Sequence, residues 1–367
     1  MKLGECTKYD VAMRLRLPPL GAAAMCAAMS LPILPVADAQ DPAPRNAGLT
    51  AIAGIKVGHC TLTERPTGCT VVLAEKGAVG GVDVRGTSPG TRETDLLNPV
   101  NAVEQVQAIV LSGGSAFGLD TAAGVMRYLE ERGLGYPTRV MRVPIVPAAI
   151  LFDLAVGGNP KIRPTAECGY RAATGATDGP VTEGNVGAGA GATIGKLAGP
   201  ERAMKAGIGT ASLAMADGTI VAALVAVNAA GDVIDPDTGQ VIAGVRTPDG
   251  KSLADARKLL RGGSVASPLR DGGNSTIGVV ATNARLTKAQ ATKLAQMAQD
   301  GLARAVYPAH TPVDGDTIFA LATGERVEPA NLLALGSLAA DVVAQAIVRA
   351  ARQATGIPGY PAARDLK

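Results

Sequence analysis

The chain has 367 residues, with 35 Lys and Arg against 32 Asp and Glu and a formal net charge of +3. That length suits one large domain or two ordinary ones. The weak, evenly spread charge, with no basic patch interleaved with aromatics, excludes a nucleic-acid-binding protein. Apolar residues make up 47% of the chain but aromatics only 2%, with 46 Gly and no Trp, so a core must be layered from Ala, Val, Leu and Ile with backbones closely spaced.

In chain order, the first segment reads as a targeting signal. Arg14 and Arg16 follow Met13, an apolar stretch runs from Leu20 to Leu34, and Ala37-Asp38-Ala39 fits a small-x-small cleavage site. Residues 1–39 are therefore expected to be a signal peptide, with 1–12 an upstream extension, and the mature chain to begin at Gln40 in the periplasm or outside the cell. Pro32 and Pro35 interrupt the apolar run, which makes a transmembrane helix the poorer reading, and no later stretch reads as long and apolar enough to span a bilayer. Of the five cysteines, Cys60 and Cys69 could pair after export; otherwise isolated cysteines serve as small buried hydrophobes. With no CxxC and only His59 and His310, no zinc pattern is present, and neither a metal nor a cofactor is expected.

Short β-branched runs at 55–57 and 70–73 predict strands, with another over 77–85. Residues 108–111 predict a buried strand, and 119–131 a helix with Val125, Met126 and Leu129 inward. Ser115 between them invites a nucleophile-elbow reading, but G-x-S-x-G is not satisfied, and a helix-capping serine fits better. Arg142–Leu154 reads as an apolar wall with Pro144 and Pro147 in it. The passage Gly184–Lys196 (GNVGAGAGATIGK) fails the P-loop pattern, because Ala190 stands where Gly is needed and Leu197 where Ser or Thr is needed. It is left as a loop whose backbone, at Gly189 and Gly191, can point N–H groups at a carbonyl oxygen. Two strands are expected at 211–215 and 220–228, turning at Asp217-Gly218. Residues 240–274 scatter Gly, Ser, Pro and basic residues and read as a flexible linker.

At the end of that linker stands Asn274-Ser275, opening the strand Thr276–Thr282. Further on come an amphipathic helix over 286–305 capped by Thr287, a strand at 317–322 after Asp314-Gly315-Asp316, an Ala-rich helix over 332–352 and a frayed tail from Gly356. By residue type alone Ser275 is a turn or cap residue. Cleavage of the Asn274–Ser275 bond would, however, give Ser275 a free amine of pKa about 7.7–8.0 beside its own hydroxyl. An amine in that range can serve as a general base, with no histidine required.

The run NSTIGVVATNARLTKAQATKLAQMAQDGLARA and the later TPVDGDTIFALATG resemble the DmpA-like family of N-terminal-nucleophile peptidases. The family includes L-aminopeptidase/D-esterases, β-peptidyl aminopeptidases and nylon-oligomer hydrolases, and the likeness runs from about Gly54 to about Gly324. It implies an α/β fold of αββα sandwich type, cut by the protein itself into a large chain (40–274) and a small chain (275–367) that stay associated, and a homotetramer. It also implies Ser275 as nucleophile at the cleavage site Asn274-Ser275, Asn228 as donor to the scissile carbonyl, and Asp314, Asp316 and Lys196 as its catalytic companions. Physically, two carboxylates two residues apart on an extended backbone point the same way, although Asp-Gly-Asp is by itself an ordinary turn. In the wall, where some members carry Tyr to grip substrate, this chain has Phe152. It also has Ser275 where the nylon-oligomer branch carries Thr.

The function expected is hydrolysis of amide bonds in small peptides or amino-acid amides through an acyl-enzyme. A nylon-oligomer endo-amidase working by the same mechanism is the alternative. Two other classes stay open: a Ser-His-Asp hydrolase using His310 or His59, and an exported small-molecule-binding protein without catalysis.

Overall fold

The computed structural model describes residues 48–263 and 273–366. The expected signal peptide, its cleavage site and the linker residues 264–272 lie outside the described residues. Nine strands make the main sheet: β1 (Lys56–Thr61), β2 (Gly68–Val84), β3 (Thr91–Arg92), β4 (Gln105–Ser112), β5 (Ala148–Ile150), β6 (Ile208–Ala214), β7 (Ile220–Asn228), β8 (Ser275–Arg285) and β9 (Thr317–Pro329). The helices are α1 (Thr121–Glu130), α2 (Ala166–Thr174), α3 (Ala256–Arg261), α4 (Lys288–Ala305) and α5 (Leu332–Gln353).

The strand order is β6-β7-β8-β9-β2-β4-β5-β3, with β1 paired to β2. The sheet is continuous because β2 is 17 residues long and serves two neighbourhoods. Its first half pairs with β1 and β4, its second half with β9, and the register shifts between Leu73 and Ala78. Side-chain alternation shows that the two halves fold over one another. Along β7, Ala222, Leu224 and Ala226 point into one cluster and Val221, Ala223, Val225 and Val227 into another. The first cluster also holds Val72, Ile109 and Leu111 from β2 and β4, so it fills the space between the halves. The second is roofed by α4 and α5, and a third, with Val71, Leu73 and Val110, by α1 and α2. Helices, sheet, sheet, helices: this is the expected αββα layering, its two sheets being halves of one bent sheet. Close layers require small residues where a helix crosses a strand. A Cβ on Gly81 of β2 would stand 2.4 Å from the Ala291 carbonyl carbon of α4.

β8 is central, antiparallel to β7 and parallel to β9. It is buried on both faces from Ser275 to Ala284, with Ile277, Val279 and Val280 at its middle and polar Ser275, Thr276, Thr282 and Asn283 buried towards its ends. The parallel pair is joined by α4, which begins at the expected Thr287 cap, closed by Gln290 into a capping box. Together these place the first residue of β8 at one end of the sheet, beside the last residue of β7 and the turn entering β9.

Three sequence expectations change. Much of 240–263 is built: Val241–Ala243 pairs with Asp232–Ile234, and α3 follows. The organiser is Asp232, whose buried carboxylate accepts the N–H groups of Val245 and Ala256, each at 2.7 Å. No local period could reveal that, since the order comes from one distant carboxylate. The tail is pinned, because Pro361 offers its carbonyl to Lys205 N at 2.9 Å and Arg364 reaches the Arg352 carbonyl. Finally, α5 is long and apolar enough to cross a membrane by length and composition, but its Val343, Ile347 and Ala350 pack with the strands of the core.

Candidate active site

The site is assembled around a buried peptide bond. Asn274 and Ser275 are each 2% exposed. Asn274 forms a one-residue parallel bridge with Asp314, which brings the Asp314-Gly315-Asp316 turn alongside. The Asn274 carbonyl oxygen accepts two hydrogen bonds, from Ser275 Oγ at 2.5 Å and from Gly315 N at 3.1 Å. The hydroxyl therefore lies against the carbonyl group that precedes it, and a backbone N–H already addresses the oxygen on which charge would develop. Glycine is needed at 315, since a Cβ there would stand 2.3 Å from the Ser88 carbonyl oxygen.

Asn228, the last residue of β7, pairs directly with Ser275. Its Oδ1 accepts from Thr193 N at 3.0 Å and from Lys196 Nζ at 2.8 Å. Those donors fix the carboxamide orientation and leave Nδ2 facing the carbonyls of Phe152, at 3.0 Å, and Gly273, at 3.3 Å. Lys196 Nζ also reaches the Asn228 carbonyl at 3.1 Å and that of Gly273 at 3.4 Å. So Asn228 and Lys196 grip the chain one residue upstream of the Asn274 carbonyl, while Gly315 serves that carbonyl itself.

The two aspartates are held differently. Asp314 accepts Ala230 N at 3.2 Å and the Thr311 hydroxyl. Asp316 accepts Thr276 N at 2.7 Å through Oδ1, and His310 N at 3.0 Å and Nδ1 at 2.9 Å through Oδ2. Burial, reinforced by the neighbouring Asp316 charge, pushes the Asp314 carboxyl up to about 6. Loss of water pulls Lys196 down to about 7, against the opposing pull of the Asp314 and Asp153 charges. Two groups at the site thus sit within reach of neutral pH, as acid–base chemistry requires.

The structure gathers Ser275, Asn274, Asn228, Lys196, Asp314 and Asp316, as the sequence led one to expect. Neither carboxylate touches Ser275 Oγ, whose one hydrogen bond among the described residues goes to Asn274. Phe152 joins through its backbone carbonyl. Its segment is anchored by a fully buried ion pair, Arg65 to Asp153 at 2.8 Å. Gly189 donates its N–H to Val186 at 2.9 Å, so that group is spent inside the loop, and Gly191 packs against Pro66 and Asp153. In place of these glycines, the loop contributes the Thr193 N–H.

Neither histidine forms a triad. His59 bonds Thr70 Oγ1 at 2.9 Å on β1, its ring pulled to about 4 by burial. His310 holds Asp316, and its Nε2 is buried without a partner instead of meeting Ser275. Three participants escaped the sequence reading: the Gly315 N–H, His310 as the clamp on Asp316, and the Thr193 N–H. The cramped glycine between the two aspartates was the one local signal available.

Comparison with known proteins identifies the family. The model of peptidase family S58 matches residues 47–364. An uncharacterized aminopeptidase of Mycobacterium tuberculosis is 43% identical over 347 residues, covering 87% of this chain and 97% of the relative. A 6-aminohexanoate-oligomer endohydrolase of a Kocuria species is 30% identical over 313 residues, covering 82% of this chain and 84% of the relative. Among solved structures, a Burkholderia β-aminopeptidase is similar with a TM-score of 0.64 and 26% identity, covering 86% of this chain and 89% of that one. The L-aminopeptidase D-Ala-esterase/amidase of Ochrobactrum anthropi, described as a variant of the Ntn hydrolase fold, gives 0.63 at 21% identity, over 86% of this chain and 89% of that one, a likeness of fold alone. With an α/β sandwich, a buried Asn-Ser bond beside two acids and a lysine, and relatives named for amide hydrolysis, the chain belongs to peptidase family S58 and is a hydrolase.

Proposed function

We propose that the protein cuts itself between Asn274 and Ser275, and that Ser275 then hydrolyses amide bonds of small peptides or amino-acid amides as an N-terminal nucleophile. The observation that carries this is the pair of hydrogen bonds on the Asn274 carbonyl oxygen, from Ser275 Oγ and Gly315 N.

In the first event Oγ adds to the Asn274 carbonyl carbon, and the oxyanion is received by the Gly315 N–H. The C–N bond then breaks, and Ser275 N leaves as an amine with the hydroxyl's proton. Asp314 near 6 and Lys196 near 7 are the groups at the site able to relay that proton at neutral pH. Water next hydrolyses the ester and restores Oγ–H. In later turnovers the free amine of Ser275 is the base, and Asp316, through the Thr276 N–H, keeps the start of β8 in place. The Kocuria relative's printed activity favours a second reading, endohydrolysis of oligoamides by the same steps.

Export of the mature chain from Gln40 is part of the same proposal. It is supported by the disulfide between Cys60 and Cys168, with Cys69 free and buried, because such bonds persist in oxidising compartments. That pairing replaces the Cys60–Cys69 option: the two residues face each other across β1 and β2, but Cys60 bonds to α2 instead.

On a denaturing gel the protein should give two bands, with N-terminal sequencing of the small one starting at Ser275. Ser275→Ala should leave one band and no amide hydrolysis. A small fragment starting elsewhere, or an active Ser275→Ala protein, would overturn the mechanism.

A further inference from the structure

Asn228 is useful only one way round. Its carboxamide can turn over with little change of shape, exchanging Oδ1 for Nδ2. In the orientation found, Nδ2 has two N–H groups, one on the Phe152 carbonyl at 3.0 Å and one on the Gly273 carbonyl at 3.3 Å. Turned over, it would set Oδ1 against two carbonyl oxygens and Nδ2 against the Thr193 and Lys196 donors. Two fixed points of the backbone therefore choose the orientation: the Phe152 carbonyl on one side and the Thr193 N–H on the other.

Both fixed points rest on one buried carboxylate. Asp153 follows Phe152 and is fully buried. Its Oδ1 accepts Arg65 Nη2 at 2.8 Å and the Gly114 N–H at 2.9 Å, and its Oδ2 accepts the Thr67 hydroxyl at 2.6 Å. Arg65, only 1% exposed, also grips the Asp153 carbonyl through Nη1 at 2.5 Å. The Phe152 carbonyl belongs to the peptide unit joined to Asp153, so a residue held by side chain and carbonyl together fixes the direction of that unit. On the other side Gly191 presses on the same residue, since a Cβ there would stand 2.6 Å from Asp153 Cβ, and Thr193 lies two residues on. Stability alone does not account for such a pair, because well-packed apolar residues often replace a buried ion pair without loss. What an apolar pair lacks is direction, which the guanidinium fork supplies.

We propose that Arg65 and Asp153 are positioning residues of the hydrolytic reaction. Through the Phe152 carbonyl and the Gly191–Thr193 stretch they keep the Asn228 carboxamide with its N–H groups toward the reacting end of β8. Asn228 stands opposite Ser275 in the β7–β8 pairing. Once the Asn274–Ser275 bond is cut, the N–H that held Gly273 is the one a substrate carbonyl at Ser275 meets. This rests on Ser275 being the nucleophile.

The test uses processed wild type and variants with the best-hydrolysed member of a panel of amino-acid p-nitroanilides. Rates are counted per small chain beginning at Ser275. Thr67→Val removes one donor to Asp153 with little change of shape, and Arg65→Lys keeps the buried charge but loses the fork. Loss of a transition-state donor costs about 10²–10³-fold in kcat, the ceiling for a donor that is only misaimed. Arg65→Lys should lower kcat at least about tenfold and Thr67→Val about threefold, with KM within about twofold in both. Band splitting, followed in parallel, should slow in the same order, because the same Nδ2 holds the Gly273 carbonyl. Val125→Ala, in the cluster under α1 and α2, loses stability outside this network and should leave kcat per small chain unchanged. Wild-type kcat and splitting in both variants, a change confined to KM, or an equal fall in Val125→Ala would overturn the proposal. Where Arg65→Lys yields no folded protein, Thr67→Val decides alone. Failure of the parent reading looks different: Ser275→Ala would then keep its activity, whatever these variants show.

Discussion

Two lysines on opposite ends of one short segment, one buried and one part-buried, meet the same physics in different surroundings. Lys205 is fully buried, and its ammonium is saturated by the carbonyls of Gly189 at 2.9 Å, Ala192 at 3.0 Å and Ala206. Lys196, only part-buried, spreads its donors over Asn228 Oδ1, the Asn228 carbonyl and the Gly273 carbonyl. Loss of water pulls both down to about 7. The difference lies in what surrounds them. Lys205 feels the Asp153 charge alone, whereas Lys196 is also balanced against Asp314, itself held near 6. A lowered lysine pKa is therefore not a mark of catalysis. A lowered lysine facing a raised carboxyl and the chain just upstream of the Asn274–Ser275 bond is the arrangement the proposed cleavage would use.

The sharpest way to break this comparison is to remove each ammonium while keeping the length of its stem. Lys196→Met should fold normally by circular dichroism and lose both band splitting and amide hydrolysis by about 10²–10⁴-fold, the range for loss of a positioned acid–base group. Asp314→Asn should come next. It removes the charge that holds Lys196 up, so the Lys196 pKa falls further and the acidic limb of the pH–rate profile moves to lower pH, with a loss of about 10²-fold in splitting. A profile left unmoved would show that the two groups do not share a proton.

Lys205→Met should have the smallest effect on rate, within about twofold, and act on stability instead. Leaving buried carbonyls without their donor costs about 1–3 kcal/mol, readable by urea titration. The pH dependence carries the sign. Because the folded pKa of Lys205 lies below its unfolded value, the unfolded chain binds more protons between about pH 7 and 10.5, and stability rises with pH across that window. In Lys205→Met the slope should shrink, with Lys196 still supplying its share. Lys205 touches the Ala192–Thr193 peptide, whose N–H orients Asn228. If Lys205→Met slows hydrolysis as much as Lys196→Met, the two lysines form one unit and the distinction drawn between them fails.

How much of this was legible in the chain differs by element. β8 was legible because its β-branched run needs only burial on two faces, and α4 because Thr287 announces its start. The ordered part of 240–263 was not, since its backbone is organised by Asp232, eight or more residues upstream and silent in any window. The alternation within β2 was visible as strand, but nothing local says that one 17-residue strand turns the sheet upon itself.

The sequence by itself determined the small-residue chemistry of the layers and the candidate site residues. Small apolar residues at strand and helix periods marked a layered α/β core, the αββα order came from the family resemblance, and Asn274-Ser275 before a buried strand, with Asp314-Gly315-Asp316 and Lys196 elsewhere, marked the groups to watch. Tertiary structure alone decided their assignments. Pairing of β7 with β8 put Asn228 opposite Ser275, and the bridge from Asn274 to Asp314 put the Gly315 N–H on the Asn274 carbonyl. It also turned His310 toward Asp316 instead of Ser275. Hydrogen bonds reach about 3 Å, so which of several plausible partners is used depends on register and turn geometry, and these are fixed only when the layers close.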